Sequence, residues 1–346
     1  MNFPASPETM TPAWLAEKLG QPPQALRGFT YGKVGTGQMC DSFRLTLDWA
    51  DNAAPATVIV KFPSHDEASR NIAKMTGTYL KEVNWYRELA AGSGVAAPTC
   101  HHADIADDDV NFILILSDLA PARQGDQLAG LGLAGLAPCI DAAAGLHALL
   151  WNDPRLDETP WLTRDASPLI RALFPQLYAG FRDRYATRLA PDILDLGAGI
   201  VERLEAYMAR QPAARALVHG DLRIDNILFA PGGDQCWLVD WQTLGRGSGA
   251  TDLAYLIGTS IADPAERAAA DRPAFDQWIA ALRRRGIAPD EAALWTDYRL
   301  GALSGYFMAV FASMSVERTE RGDEMFAVMA ERPARQALKL GSLDLL

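Results

Sequence analysis

The sequence has few cysteines and no dense run of one charge. Only four of its 346 residues are cysteine, and none has the C-x-x-C spacing of a zinc or redox site. We therefore expect reduced thiols, as in a cytoplasmic protein, and no disulfide framework. The net charge is −11 and the lysines and arginines are not clustered, which argues against nucleic-acid binding.

The sequence shows neither the pattern of a secretory signal nor a run long enough to predict a membrane span. The N-terminus has no basic stretch followed by an apolar core, so no secretory signal is expected. Residues 300–316 carry no charge, but this stretch contains Gly and Ser. It is also shorter than the roughly twenty residues that a bilayer requires. We expect a buried helix there and no membrane span.

Two common nucleotide-binding fingerprints are absent. No G-x-x-x-x-G-K-[ST] occurs, which argues against a P-loop protein. The turn Gly35-Thr36-Gly37 is followed by strand-like sequence, whereas a Rossmann G-x-G-x-x-G opens a helix. An NAD-dependent oxidoreductase is therefore disfavoured. The turn could let backbone amides approach phosphate, although a plain hairpin explains it equally well.

The composition, 49% hydrophobic and 22% charged, indicates a well-buried core, and the length suits two domains or one bilobal unit. Hydrophobic patterns change character near Pro121. Before it they predict mostly strands, at 29–34, 42–48, 56–62, 99–104 and 111–117, with helices at 11–20 and 77–91. After it they predict helices at 132–151, 168–186, 192–210, 251–261, 272–285, 289–316 and 322–340.

This division predicts an α+β fold with two lobes. Residues 1–118 would form an N-terminal lobe with a short helix, a five-stranded sheet and one further helix. Residues 119–346 would form a larger helical lobe. The sequence leaves the oligomeric state open between monomer and homodimer.

The most informative segment is a polar loop between two short apolar runs, which carries Asp221 and Asn226. A third apolar run ends at Asp240. An aspartate, an amide and a second aspartate in this order suit phosphoryl transfer. One carboxylate accepts the proton of the attacking hydroxyl. The amide oxygen and the second carboxylate hold Mg²⁺ against the phosphates of ATP. The pattern predicts a kinase.

A kinase also needs a cation for the phosphates. Lys61 ends an apolar strand, which suits a phosphate-binding lysine, although an edge lysine with a buried stem is the alternative. The following helix offers Glu82 and Glu88 as partners, and its apolar stripe favours Glu82. Asp252 opens a later helix, either as a cap or as an anchor for the catalytic loop.

These motifs together resemble the aminoglycoside phosphotransferase and choline kinase family of small-molecule kinases. His219-Gly220-Asp221-Leu222 with Asn226, and Asp240-Trp241-Gln242, carry the resemblance, and the latter is similar to the ecdysteroid-kinase-like (CHK-type) branch. The resemblance implies a bilobal protein-kinase-like fold. In that fold the N-terminal lobe, with its antiparallel sheet and one key helix, binds the nucleotide, and the helical C-terminal lobe carries the catalytic loop and the acceptor pocket. The resemblance names Asp221 the catalytic base and Asn226 and Asp240 the Mg²⁺ ligands. It implies that ATP contacts Gly35, Thr36, Gly37, Lys61 with Glu82, the hinge Leu116, Ser117, Asp118 and Leu119, and the apolar walls Val34, Val58 and Leu228.

The acceptor is less well determined by the sequence. An acidic cluster near the last helix would suit an aminoglycoside, but Arg318 and Arg321 interleave with it; its members are Glu317, Glu320, Asp323 and Glu324. Aromatic residues in the helical lobe, among them Trp278, Trp295 and Tyr298, would suit choline, but most of them are expected in the core. We expect a neutral or partly apolar alcohol. A hydroxyacyl-CoA kinase and a non-catalytic pseudokinase remain alternatives. A protein kinase is disfavoured because little sequence separates Asp240 from the next helix.

Overall fold

The computed structural model describes residues 3–35, 39–51, 55–163, 167–316 and 318–346. The chain divides into two compact units. The N-terminal unit comprises Met1–Pro121 and Val239–Leu244, and the C-terminal unit comprises Ala122–Leu238 and Gly245–Leu346.

The N-terminal unit is built on one antiparallel sheet in the order β1-β2-β3-β5-β4. The alternation of β2, where Leu45, Leu47 and Trp49 are buried, directs one face of the sheet into a core. Leu15 packs into that core from the first helix. The strands are β1 Leu26–Val34, β2 Cys40–Trp49, β3 Thr57–Pro63, β4 Cys100–Ile105 and β5 Phe112–Ser117.

The helices of this unit are α1 Pro12–Lys18, α2 Glu67–Thr76 and α3 Thr78–Asn84, and α3 continues as a π-helical turn, Trp85–Leu89. Helix α2 was not expected from the sequence, because its composition is polar. Its ends do carry signals. The carboxylate of Asp66 accepts a hydrogen bond from Ser69 N at 2.7 Å, and Gly77 ends the helix at a φ of 70°.

The C-terminal unit is mostly helical and has two small antiparallel sheets, β6-β8-β9 and β7-β10. Its strands are β6 Arg123–Gln124, β7 Ala216–Val218, β8 Ile227–Phe229, β9 Cys236–Leu238 and β10 Gly245–Gly247. Its helices are α4 Ala137–Leu149, α5 Arg155–Glu158, α6 Ser167–Tyr185, α7 Pro191–Glu202, α8 Leu204–Ala209, α9 Gly249–Ser260, α10 Pro264–Arg284, α11 Glu291–Gly301, α12 Leu303–Ser315 and α13 Glu320–Leu340.

The predicted α+β class, a small antiparallel sheet with a mostly helical remainder, is confirmed. Two predicted long helices, 192–210 and 289–316, are each divided in two, as α7 with α8 and α11 with α12. The uncharged helix α12 lies in an aromatic core, where Phe307 stacks on Phe174 at 4.0 Å between ring centroids. Among the described residues, no helix has the length and apolar character needed to cross a bilayer.

Close packing around α12 gives a stability prediction. A Cβ added at Gly305 would lie 2.5 Å from Pro333 Cγ. Proline is rigid, so Gly305→Ala should lower the free energy of unfolding by about 1–3 kcal/mol through overpacking. Gly145→Ala in α4 is the matched control. Its nearest neighbour would be Arg285 Nε at 3.6 Å, so the change should be neutral or stabilise by up to about 1 kcal/mol.

Denaturant unfolding of both variants and the parent protein measures this difference. Equal stability of Gly305→Ala and Gly145→Ala would contradict the packing of α12 against α13.

Candidate active site

The N-terminal unit contains a buried ion pair at the centre of its sheet. Lys61 lies on β3 between β2 and β5, and its Nζ is 2.6 Å from Glu82 Oε1 on α3. Glu82 is 1% exposed, whereas Glu88 is exposed on the π-helical turn. Lys61 therefore pairs with Glu82, and the charge pair is shielded from solvent.

Glu82 is held at both carboxylate oxygens. Gln242 Nε2 donates to Glu82 Oε2 at 3.4 Å, opposite the bond from Lys61. Burial raises the pKa of Glu82, and Lys61 counteracts that rise. Burial alone would lower the pKa of Lys61, but the acidic groups of Cys40, Glu82 and Asp240 raise it well above its usual value. Lys61 is therefore a fixed cation.

Asp240 stands beside this pair at the start of a short turn. Its φ is 67°, a left-handed conformation that is uncommon outside glycine. The next residue, Trp241, is fully buried and stacks on Trp85 at 4.1 Å between ring centroids, which fixes the turn. Asp240 Oδ1 lies 4.0 Å from Lys61 Nζ. This oxygen atom is buried and has no hydrogen-bond donor among the described residues.

The predicted nucleotide contacts of this unit differ in their surroundings. Gly35 has a φ of 76°, which favours glycine, and Thr36 and Gly37 lie outside the described residues. Asp118 accepts two hydrogen bonds from Arg44, at 2.6 and 3.1 Å, so its carboxylate is already engaged. The remaining predicted contacts range from buried to partly buried: Leu116 is buried, and Val34, Ser117 and Leu119 are partly buried.

Val58, a predicted apolar wall, does not share the face of its strand with Lys61. Side chains alternate between the faces of a strand, so Val58 lies on the face of β3 opposite to Lys61. It is fully buried in the core of the sheet with Leu45 and Ile113. Ile59 shares the face of Lys61 and is partly exposed, so it is the better candidate for an apolar wall.

In the C-terminal unit, the predicted catalytic loop follows β7 and is anchored by Asp252 on α9. The Asp252 carboxylate accepts hydrogen bonds from His219 N at 2.5 Å and from Gly220 N at 3.0 Å. Gly220 has a φ of 79°, which a side chain would disfavour. His147 Nδ1 accepts from Trp278 Nε1, so its Nε2 is the nitrogen that donates to Asp252, at 3.3 Å.

Asp221 follows this anchored backbone and is surrounded by donors. Its carboxylate accepts from Tyr255 Oη at 2.7 Å, Asn226 Nδ2 at 2.8 Å and Arg223 Nε at 3.2 Å. Burial would raise the pKa of Asp221. Arg223, the Tyr255 hydroxyl, His219 and the Asn226 amide more than offset burial and hold this pKa below its usual range. Asp221 is therefore an ionised, oriented carboxylate at neutral pH.

The amide of Asn226 is oriented by the same loop. Its Nδ2 donates to Asp221 Oδ2 at 2.8 Å and to the Asp221 backbone oxygen at 2.9 Å. Both amide hydrogens are thus used, which assigns the amide orientation and leaves its oxygen as an available acceptor. Leu228, a predicted apolar wall, is partly exposed on β8 just beyond this turn.

Asp225 precedes Asn226 in the loop, and both of its carboxylate oxygens accept hydrogen bonds. Its Oδ1 accepts from Gln127 N at 2.8 Å, and its Oδ2 accepts from Arg223 Nη1 at 2.7 Å. Arg223 Nη1 also donates to Gln127 Oε1 at 3.1 Å. Asp225 therefore fixes the arginine that contacts Asp221.

The sequence interpretation missed the roles of Tyr255, Arg223 and Gln242. Gln242 and Arg223 lie inside the recognised motifs, so only their partners were unknown. Tyr255 lies one helical turn after Asp252 on α9, so a helix that anchors the loop through Asp252 also directs a residue three positions later towards it. That spacing was the available signal.

With this geometry established, comparison with known proteins identifies the family. The model of the phosphotransferase enzyme family matches residues 44–295, which is more than half of the chain. The chain belongs to the phosphotransferase enzyme family. No curated protein matches its sequence. The proposed CHK-type branch stays a prediction.

The fold is similar to that of several small-molecule kinases of solved structure. Choline kinase from Cryptosporidium parvum Iowa II superposes with a TM-score of 0.55 at 10% identity, covering 92% of this chain and 91% of that one. Ethanolamine kinase from Plasmodium vivax gives 0.54 at 12% identity, covering 87% and 81%. Choline kinase from Streptococcus pneumoniae gives 0.51 at 13% identity, covering 92% and 94%. These superpositions show a shared fold, and the expectation of a protein-kinase-like fold is confirmed.

The contact between Tyr255 and Asp221 predicts a change in the pH dependence of phosphate transfer. The Tyr255 hydroxyl stabilises the ionised carboxylate and so lowers the pKa of Asp221. Tyr255→Phe should raise that pKa and move the acid limb of the kcat/KM profile to higher pH. The measurement is kcat/KM from about pH 4 to 8.

Tyr298→Phe is the matched control, because Tyr298 donates to Asp271 instead, at 2.9 Å, and is equally buried. It should reduce stability and leave the acid limb in place. An unmoved acid limb in Tyr255→Phe would exclude this role for Tyr255.

Proposed function

We propose that this phosphotransferase is a small-molecule kinase that transfers the γ-phosphate of ATP, with Mg²⁺, to a hydroxyl of a partly apolar alcohol. The observation that carries the proposal is the arrangement of the catalytic loop. Asp221 is an ionised carboxylate fixed by three side chains, and Asn226 keeps its amide oxygen available. Family membership and the kinase-like fold support the same reaction.

The residues present fit a magnesium ion. Mg²⁺ takes oxygen ligands and is commonly held by one or two carboxylates together with substrate phosphates. Asp240 offers a buried oxygen without a hydrogen-bond donor among the described residues, and Asn226 offers its amide oxygen. We therefore propose Asp240 and Asn226 as magnesium ligands. The bound ion would neutralise charge on the transferred phosphoryl group.

The protein groups have separate tasks in the proposed reaction. Lys61, held by Glu82, binds oxygens of the ATP phosphates as a permanent cation. Asp221 orients the acceptor hydroxyl and takes its proton. The acceptor oxygen forms a bond to the γ-phosphorus, the bond from that phosphorus to the bridging oxygen breaks, and ADP leaves. Because the pKa of Asp221 is low, positioning and charge neutralisation supply most of the acceleration.

Two structural observations weigh against a polycationic or quaternary ammonium acceptor. In the acidic cluster near α13, Asp323 is buried and accepts from Arg318 Nε at 2.7 Å and Tyr185 Oη at 3.0 Å. Glu317 of that cluster lies outside the described residues. Of the candidate cage aromatics, Trp278 and Tyr298 are fully buried in the core. A partly apolar alcohol therefore remains the proposed acceptor.

An ATP-consumption assay over a panel of alcohols tests the proposal. Purified protein with ATP and Mg²⁺ should form ADP and a phosphorylated alcohol, and chelation of Mg²⁺ should abolish both. Absence of MgATP binding in calorimetry would exclude the function altogether.

Replacement of the proposed base separates chemistry from binding. Asp221→Asn should keep ATP affinity close to that of the parent and reduce kcat by about 10²–10⁴-fold, because the proton acceptor is lost. Calorimetry and steady-state kinetics measure the two quantities. Asp234→Asn, at an exposed turn of the same unit, is the control and should leave both unchanged. Near-parental kcat in Asp221→Asn would remove Asp221 from the role of base.

Replacement of Asp240 tests the metal assignment. Asp240→Ala should weaken ATP binding about tenfold or more when Mg²⁺ is present and change it little in chelator, because only the metal-dependent contact is lost. Titration calorimetry with and without Mg²⁺ measures this. Asp48→Ala is the control, since that side chain is 65% exposed in the same unit. Equal Mg²⁺ dependence in Asp240→Ala and the parent would argue against a metal-binding Asp240.

A further inference from the structure

The C-terminal unit contains two adjoining cavities beside the proposed base. The smaller, of about 230 Å³, is lined by Tyr255, whose hydroxyl is 2.7 Å from Asp221. The larger, of about 510 Å³, falls within the usual range for a small-molecule site. The two cavities share Arg246, Gly247, Ser248 and Thr251 in their walls. A molecule in the larger cavity could therefore extend a hydroxyl towards Asp221.

The larger cavity has an excess of positive charge although the whole chain has a net charge of −11. Its walls contain Arg210, Arg215 and Arg246 against Asp157 and Asp297. Three guanidinium groups thus face two carboxylates.

Both carboxylates of the larger cavity already accept hydrogen bonds, and that of Asp157 is paired with arginine. Asp157 is shared by two arginines, accepting from Arg215 Nη1 at 2.5 Å and from Arg246 Nη1. Asp297 Oδ2 accepts from the backbone of Ala213 at 2.8 Å. A cationic acceptor would have to displace an arginine from Asp157, whereas an anion would complete the charge balance.

A buried hydroxyl gives a second, independent indication of a ligand. Ser248 lines both cavities and is only 7% exposed. Its Oγ has no hydrogen-bond partner among the described residues. Burying a hydroxyl without a partner is costly, so an oxygen-bearing ligand at this place would relieve the cost. Apolar side chains complete the larger cavity, including Tyr207, Met208 and Leu300.

We propose that the acceptor is an alcohol with an apolar body and an anionic group, a carboxylate or a phosphate. Arg246 and Arg215 would bind the anionic group, and the Ser248 hydroxyl would donate a hydrogen bond to the acceptor. The acceptor's own hydroxyl would reach Asp221. This inference rests on the proposed kinase function and replaces the neutral acceptor expected from the sequence. Guanidinium groups bind carboxylate and phosphate with strong, charge-assisted hydrogen bonds.

A matched series of acceptors tests the charge preference. The probes are ω-hydroxyhexanoate, ω-hydroxyhexyl phosphate, hexanediol and aminohexanol, which have the same chain and differ in the terminal group. The two anionic probes should be phosphorylated with kcat/KM about tenfold or more above hexanediol, and aminohexanol should be the poorest. The ratio between hydroxyhexanoate and hydroxyhexyl phosphate distinguishes the two anions.

Two substitutions with opposite expected effects separate recognition from structural damage. Arg246→Gln should raise KM for the anionic probes about tenfold, because a charge-assisted contact is lost. Asp157→Asn should lower that KM, because it releases two arginines from their shared carboxylate. Arg283→Gln is the control, since Arg283 pairs with Glu291 on the surface and lines neither cavity. KM for ATP should be unchanged in all three variants.

Several results would overturn the inference while leaving the kinase function intact. These are a preference for hexanediol or aminohexanol, an equal rise in KM in Arg246→Gln and Asp157→Asn, or MgATP binding with no transfer to either anionic probe. Loss of MgATP binding in the parent protein would instead overturn the kinase function together with the inference.

Discussion

A single buried carboxylate, that of Asp252, fixes the backbone of the proposed catalytic loop. It accepts hydrogen bonds from two consecutive backbone amides, those of His219 and Gly220, and from the His147 ring. Loops are ordinarily mobile because their backbone groups bond to water. Here a side chain of helix α9 accepts the hydrogen bonds of the loop amides in place of water. The backbone that carries Asp221 is therefore fixed. The same helix supplies Tyr255, so one element both anchors the loop and orients its carboxylate.

Each unit also stabilises a charge that its proposed chemistry requires. In the N-terminal unit, Lys61 stays protonated because Glu82 faces it, and Gln242 holds the second oxygen of Glu82. In the C-terminal unit, donors around Asp221 hold its pKa below the usual range. A buried ion pair adds little net stability, since desolvation offsets attraction. Net stability therefore does not account for the pair of Lys61 and Glu82, whereas the proposed phosphate binding does.

The charge of the cavity walls beside Asp221 bears on the chemical class of the acceptor. A family can keep its catalytic loop and vary its acceptor because the walls of the pocket come from other segments. In this chain those walls include α8, β10 and α11. Three arginines and two aspartates line the larger cavity, so its net charge is positive. Shared use of Asp157 by Arg215 and Arg246 leaves positive charge available to a ligand. An acceptor pocket of this sign selects against cationic alcohols by desolvation as well as repulsion.

The sequence by itself determined the class of fold and most of the elements, and it predicted the reacting groups. Alternating and helical hydrophobic patterns report local periodicity, and Asp221, Asn226 and Asp240 stand in a short, ordered motif. Tertiary structure decided what depends on distant partners. Helix α2 is polar and depends on its caps, the face of Val58 follows from strand register, and Tyr255 contacts Asp221 through the packing of α9. The net charge of the larger cavity likewise depends on residues from segments far apart in sequence, so no local pattern predicts it.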